Sequence, residues 1–118
     1  MKGNTLDIRI EERDGIQLIQ VAGPLDSETF ERFKNQLDAC VNRPRARVVL
    51  DCASMTYVNS RGLTLLGRYH RIASQSLSFF GVAALNPRIL KAIDLLGMGG
   101  LVKPYSSIDE ALRAAGEL

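Results

Sequence analysis

Ala46 to Leu50 is a short, nearly continuous apolar run that is bounded by charge and ends at Asp51. Such a run suits a strand covered on both faces. A short connection through Met55, Tyr57 and Val58 follows. Asn59-Ser60 then stands where a helix begins. Leu63, Leu66 and Ala73, with Leu65, Tyr69 and Ile72 on an adjoining line, make that helix apolar over much of its circumference. A buried strand feeding a buried helix needs a sheet with further layers around it. Gly62 and Gly67 each cost the helix about 1 kcal/mol relative to alanine. That cost predicts close approach of another backbone, or of a partner, beside it.

The chain on either side supplies those layers. Leu6, Ile8 and Ile10 alternate with Asp7, Arg9 and Glu11, the pattern of a strand with one buried face. Asp14-Gly15 is a turn dipeptide, and Ile16 to Ala22 is a second apolar run, so the two form an antiparallel hairpin. Gly23-Pro24-Leu25-Asp26 breaks it. Asp26 or Ser27 is placed to cap a helix with Phe30, Phe33, Leu37 and Val41 on one face. Asn42-Arg43-Pro44 ends that helix. Leu77 to Ala84 reads as another strand, and Asn86-Pro87 as a cap with a first-turn proline. Leu90, Ile93 and Leu96 give the helix after it a face, and Gly97 stops it in a left-handed cap with Met98 folding back. Leu101-Val102 suggests a short edge strand. Ser107-x-x-Glu110 is a capping box opening a last helix with Ile108, Ala111, Leu112 and Ala115 inward.

The expected fold is therefore α/β, one domain over residues 1–118, with a mixed sheet of four to five strands flanked by about four helices. Loops leaving the parallel strands gather at one end. The loop at Gly23 to Asp26 and the one at Tyr57 to Ser60 are expected to meet there.

Composition excludes several classes of function. The net charge is +2, too small and scattered for direct nucleic-acid binding. Arg43, Arg45 and Arg47 form the densest basic cluster and read as a solvated loop before a strand rather than a phosphate-binding patch. No apolar stretch of about 18 residues exists to span a membrane. The charged, alternating N-terminus carries no signal-peptide core, which points to the cytoplasm. Cys40 and Cys52 have no second pair to join and the chain has a single histidine, so no disulfide or metal site is expected. No cofactor is expected either.

An enzyme would need converging groups that the sequence does not supply. Ser60 as a nucleophile needs a base, and His70 lies nearly three turns along the same helix, roughly 15 Å away. Asn59-Ser60-Arg61-Gly62 is not the glycine-flanked nucleophile elbow. Gly62-Leu-Thr-Leu-Leu-Gly67-Arg68 lacks the lysine and hydroxyl residue of a phosphate loop. His70, flanked by Arg68 and Arg71, reads as a solvated or packing residue. Ser60 itself admits two readings. One is a helix-capping or first-turn serine. The other is a serine to be modified, whose phosphate would meet the free N–H groups and positive end of the helix.

At these residues the chain resembles the STAS domain of bacterial anti-sigma factor antagonists. The resemblance is carried by Gly23-Pro24-Leu25-Asp26, by VVLDC from Val48 to Cys52, by YVNSRGLTLLGRYHRI from Tyr57 to Ile72, and by FGVAALNPRILKAIDLLGMGGL from Phe80 to Leu101. It implies a non-enzymatic partner switch. The unphosphorylated antagonist binds an anti-sigma factor that is also a serine kinase, releasing a sigma factor for transcription. The kinase phosphorylates the antagonist from ATP, and a PP2C-type phosphatase reverses it. The motif at the second helix is Asp-Ser-(Ser/Thr)-Gly-Leu. Its phosphorylated serine falls on Ser60, with Gly62 and Leu63 matching, and the loop aspartate before the first helix falls on Asp26. Asn59 and Arg61 depart from the motif and shift the local charge by about +2. The implied contact surface is Pro24, Leu25, Asp26 and Ser27, then Asn59 to Leu63, with Thr64 and Arg68 further along the helix. A different role known for such domains is as a structural subunit of a lipid-transport ABC complex or a stress-signalling scaffold.

Overall fold

A computed structural model describes residues 5–117. Its strands are β1 (Asp7–Arg13), β2 (Ile16–Leu25), β3 (Arg47–Val58) and β4 (Phe79–Ala83). Its helices are α1 (Phe30–Val41), α2 (Ser60–Ser74), α3 (Pro87–Leu95), α4 (Gly99–Val102) and α5 (Ile108–Gly116). The strands lie in the spatial order β1-β2-β3-β4. β1 and β2 pair antiparallel through a tight turn, with Asp14 and Gly15 both at positive φ (52° and 81°). That is the turn whose twist suits a two-residue hairpin. β2–β3 and β3–β4 are parallel, so the sheet is mixed.

Alternation along β3 divides the core in two. Val48, Leu50 and Cys52 face α1, α2, α3 and α4, meeting Phe33, Leu37, Leu66, Tyr69, Ile93 and Val102. Val49 faces the other way, with Ile16, Leu18 and Ala83, onto Ala111 and Ala115 of α5. The expectation of a strand buried on both faces holds.

Several boundaries differ from expectation. β3 does not end at Asp51 but continues to Val58, and β2 continues through Gly23 and Pro24 to Leu25. The extensions pair with each other, Gly23 with Met55, Pro24 with Tyr57 and Leu25 with Val58, after register shifts that mark bulges. Pro24 lies beyond the part of β2 that β1 pairs, which ends at Ala22 opposite Asp7. Its missing N–H therefore costs no ladder bond on that side. The buried face expected of β1 is thin: Leu6 is buried and Ile8 half-buried, but Ile10 is 51% exposed, because β1 is the sheet's edge. β4 is shorter than Leu77 to Ala84, and Leu77 is exposed.

α3 starts at Pro87, with Asn86 capping through Ile89 N–H at 2.8 Å. Its inward face is Ile89 and Ile93, not Leu90 and Leu96, which point outward. Gly97 takes the left-handed cap (φ 68°), and Met98 N–H bonds back to Ile93 C=O. Leu101-Val102 is not an edge strand but part of the one-turn helix α4, which packs on α2 and buries Val102. The residue that extends the sheet is Tyr105, bridged to Ala83. Ser107 caps α5 through Glu110 N–H. Cys40 and Cys52 are free and buried. Burial pushes the Cys52 thiol far above its ordinary range, which makes it inert.

Candidate functional site

The carboxyl ends of β2 and β3 bring the two expected loops together. Asn59 N–H donates to Leu25 C=O at 3.0 Å, tying the start of α2 to the end of β2. On the β2 side, Asp26 and Thr29 bond to each other across the turn that precedes α1. Asp26 Oδ1 accepts from the N–H groups of Glu28 (3.0 Å) and Thr29 (3.2 Å), while Asp26 N–H donates to Thr29 Oγ1 (3.0 Å). The Thr29 hydroxyl in turn donates to Pro24 C=O at 2.9 Å. Asp26 therefore fixes the turn leading into α1, but neither it nor Ser27 is the expected helix cap: α1 starts at Phe30, its N-cap is Thr29, and no side chain caps it, while Ser27 makes no side-chain hydrogen bond to any described residue. Thr29, buried in that loop, was not singled out. The signal was its place three residues after Asp26, where an aspartate that bonds forward to the backbone makes a turn.

On the β3 side, Asn59 is the N-cap of α2, its Oδ1 accepting from Gly62 N–H at 2.8 Å. Ser60 is the first helical residue and is exposed. It is therefore not the cap, and its side chain makes no hydrogen bond to any described residue. A helix leaves its first N–H groups without intrahelical partners. Asn59 and Gly62 satisfy theirs as described, and the N–H groups of Ser60 and Arg61 remain at the helix's positive end. Leu25, Gly62 and Leu63 are buried beneath this surface. They shape the site from below, whereas Ser27, Ser60, Arg61, Thr64 and Arg68 are exposed and Pro24, Asp26 and Asn59 half-buried.

Gly62 shows why the second helix needs a glycine at its start. A Cβ there would lie 2.8 Å from Val58 Cγ2 and 2.9 Å from Leu25 Cδ2. The close approach is to side chains of the two strands rather than to a backbone. Gly67 is less crowded, with Leu101 Cβ at an ordinary 3.5 Å.

Arg61 reaches out of α2 onto α1. Its guanidinium carbon lies 4.0 Å above the Phe30 ring centroid, and Nη2 lies 3.5 Å from Glu31 Oε2. This contact joins residues thirty positions apart and depends on how the two helices pack, so neither sequence neighbourhood announces it. Further along the same seam, Tyr69 OH donates to Asp38 Oδ1 at 2.6 Å and Lys34 Nζ pairs with Asp38 Oδ2 at 2.9 Å. Burial opposes ionisation of Asp38, but the Tyr69 hydroxyl and Lys34 outweigh it and hold the carboxyl below its ordinary value. Burial, then the Asp38 hydrogen bond, raises the Tyr69 phenol. Between these contacts runs an open groove lined by Phe30, Lys34, Arg61, Thr64, Leu65 and Arg68.

His70 is half-buried on α2, away from Ser60. Among the described residues, no group of three His, Cys, Asp or Glu side chains is placed to hold a metal ion. Among the described residues, no helix is long and apolar enough to cross a membrane.

Taken together, the molecule is an α/β domain whose distinctive surface is a helix start and a strand-end loop, with an exposed serine between them. Residues 7–111 match the STAS domain family, and the chain belongs to it. The chain is 29% identical over 109 residues to an anti-sigma F factor antagonist of Paenibacillus polymyxa, covering 91% of this chain and 92% of that protein. Its fold superposes with a TM-score of 0.81 on the crystal structure of an anti-sigma factor antagonist from Mycobacterium paratuberculosis, at 26% identity and over 94% of each chain. A STAS domain protein from Planctomyces limnophilus shares the fold at 18% identity, with a TM-score of 0.74 over 92% of this chain and 96% of that one.

Proposed function

We propose that this protein is an anti-sigma factor antagonist controlled at Ser60. In its unphosphorylated state it binds an anti-sigma factor that is also a serine kinase, in the cytoplasm, and so frees a sigma factor for transcription. The kinase transfers the γ-phosphoryl group of ATP to Ser60 Oγ: the new O–P bond forms, ADP leaves, and the hydroxyl proton passes to a base on the kinase. A PP2C-type phosphatase hydrolyses the ester and restores binding. The protein itself catalyses nothing.

The observation that carries this reading is the position of Ser60. It is exposed, its side chain bonds to no described residue, and it is first in a helix whose nearest N–H groups have no partner among the described residues. A phosphate there gains the helix dipole and those donors, and adds about −1.5 to −2 charge at the converging loops. Relatives that share nearly the whole length and carry the name anti-sigma factor antagonist support the same assignment. The partner surface is formed by Pro24, Asp26, Ser27, Asn59, Ser60, Arg61, Thr64 and Arg68, over a floor of Leu25, Gly62 and Leu63.

Incubation with the cognate kinase and ATP tests this directly. Intact mass should rise by one phosphate, and Ser60→Ala should abolish the gain. No gain, or one that survives Ser60→Ala, sinks the assignment.

A further inference from the structure

We infer that Arg61 changes partners when Ser60 is phosphorylated, leaving Glu31 and Phe30 on α1 to hold the new phosphate. The inference rests on Ser60 being the phosphoacceptor and concerns how its modification is transmitted.

Arg61 is held loosely where it lies. Among the described residues its one ion pair is a single contact of 3.5 Å between side chains that are 63% and 69% exposed. Exposed pairs of this kind are weak and screened by salt. The other attachment is the face of the buried Phe30, 4.0 Å from the guanidinium carbon, an interaction that is also modest while the cation stays exposed. Most of the guanidinium's five donors are left for solvent.

A phosphoryl group on Ser60 competes on better terms. It is tethered to the neighbouring residue, it carries up to twice the charge of the Glu31 carboxylate, and its three acceptor oxygens suit bidentate arginine contacts. Lys34 is already paired with Asp38, and Arg68 is eight residues along the helix, about 12 Å from Ser60. Arg61 is thus the cation positioned to respond. Its departure uncovers the Phe30 ring and leaves Glu31 without its counter-ion. One modification on α2 then leaves an uncompensated carboxylate on α1 beside the groove as well, and a docked partner meets the change over two helices rather than at one serine. An acid or small hydroxyl residue at position 61 could not do this.

The test uses the full chain with phosphoserine installed at position 60 during translation, so no kinase is required. Two signals are read by NMR: the 31P titration midpoint of the phosphoserine, and the Phe30 ring protons with and without phosphate. In the phosphorylated chain the midpoint should be lower than in its Arg61→Gln variant, by roughly half a unit. The Phe30 ring signals should move on phosphorylation to the positions they hold in unphosphorylated Arg61→Gln. Equal midpoints overturn the inference, since the phosphate is then not held by Arg61. A lowered midpoint with unmoved Phe30 signals also overturns it, since Arg61 then serves the phosphate without leaving α1. Binding of the phosphoserine protein to the anti-sigma factor is measured separately. Undiminished affinity there counts against the proposed switch while leaving the Arg61 exchange to the NMR result.

Discussion

A methyl group at position 62 has nowhere to go. Val58 and Leu25 stand within 3 Å of where its carbon would be, and both belong to strand ends that also pair with each other. Gly62→Ala gains about 1 kcal/mol of helix propensity but overpacks this corner, so we expect a net loss of about 1–2 kcal/mol in urea unfolding. A neutral or stabilised variant would show that the corner yields. Asn59 tests the opposite side of the same turn. Asn59→Ala removes the acceptor for Gly62 N–H and should cost about 1 kcal/mol. Asn59→Asp keeps the acceptor and adds a charge that the helix dipole favours, so its stability should match or exceed the parent's. Much of this corner was legible in the sequence, because caps and glycines act through local backbone rules. The Arg61–Phe30–Glu31 contact was not, since it exists only once α1 and α2 are packed together.

At the scale of elements, α1 and α2 are joined by a polar stitch as well as by their apolar faces. Tyr69 links the Asp38 carboxylate to the β4 ring of Phe80, whose centroid is 5.3 Å from its own. Tyr69→Phe keeps the packing and removes one hydrogen bond to a charged group, a loss we put at about 1–2 kcal/mol. The same stitch predicts a pH dependence. Asp38 binds its proton more weakly in the folded chain than in the unfolded one. Its contribution is therefore fully present above the ordinary carboxylate value near 4 and is lost as the pH falls through the lower, folded value. Stability measured in that acid window should fall less steeply in Asp38→Asn than in the parent; parallel curves would remove Asp38 from the account. Elements were read from the sequence with uneven success, for physical reasons. Long periodic helices such as α2 were plain. The end of β3 is not legible in the sequence because exposed Ala53, Ser54, Thr56 and Tyr57 interrupt its apolar run, and only pairing with β2 keeps it extended. The two apolar residues after Gly99-Gly100 carry the pattern of a short strand, yet α4 forms because the left-handed turn at Gly97 directs Leu101 onto Gly67 and Val102 inward.

Over the whole molecule, stability and the proposed switch occupy different regions. The two core clusters lie against the faces of the sheet, while Ser60 stands clear of both at the strand ends. Replacing it disturbs no buried contact, and such surface changes usually stay within about 0.5 kcal/mol. An aspartate at the first helical position should even help slightly through the helix dipole. Ser60→Asp is therefore expected to keep its Tm within about 3 °C of the parent's, with an unchanged far-UV spectrum, while its affinity for the anti-sigma factor falls at least about tenfold, the effect of a difference near 1.4 kcal/mol. The separation is the informative part. A fall in affinity accompanied by a Tm loss of many degrees would mean that the substitution acts by damaging the fold. A stable variant with full affinity would mean that negative charge at this helix start does not govern docking. Raising the salt should narrow the affinity gap, because the charges concerned are exposed and screened. A gap that salt leaves untouched would point to steric exclusion by the longer side chain instead.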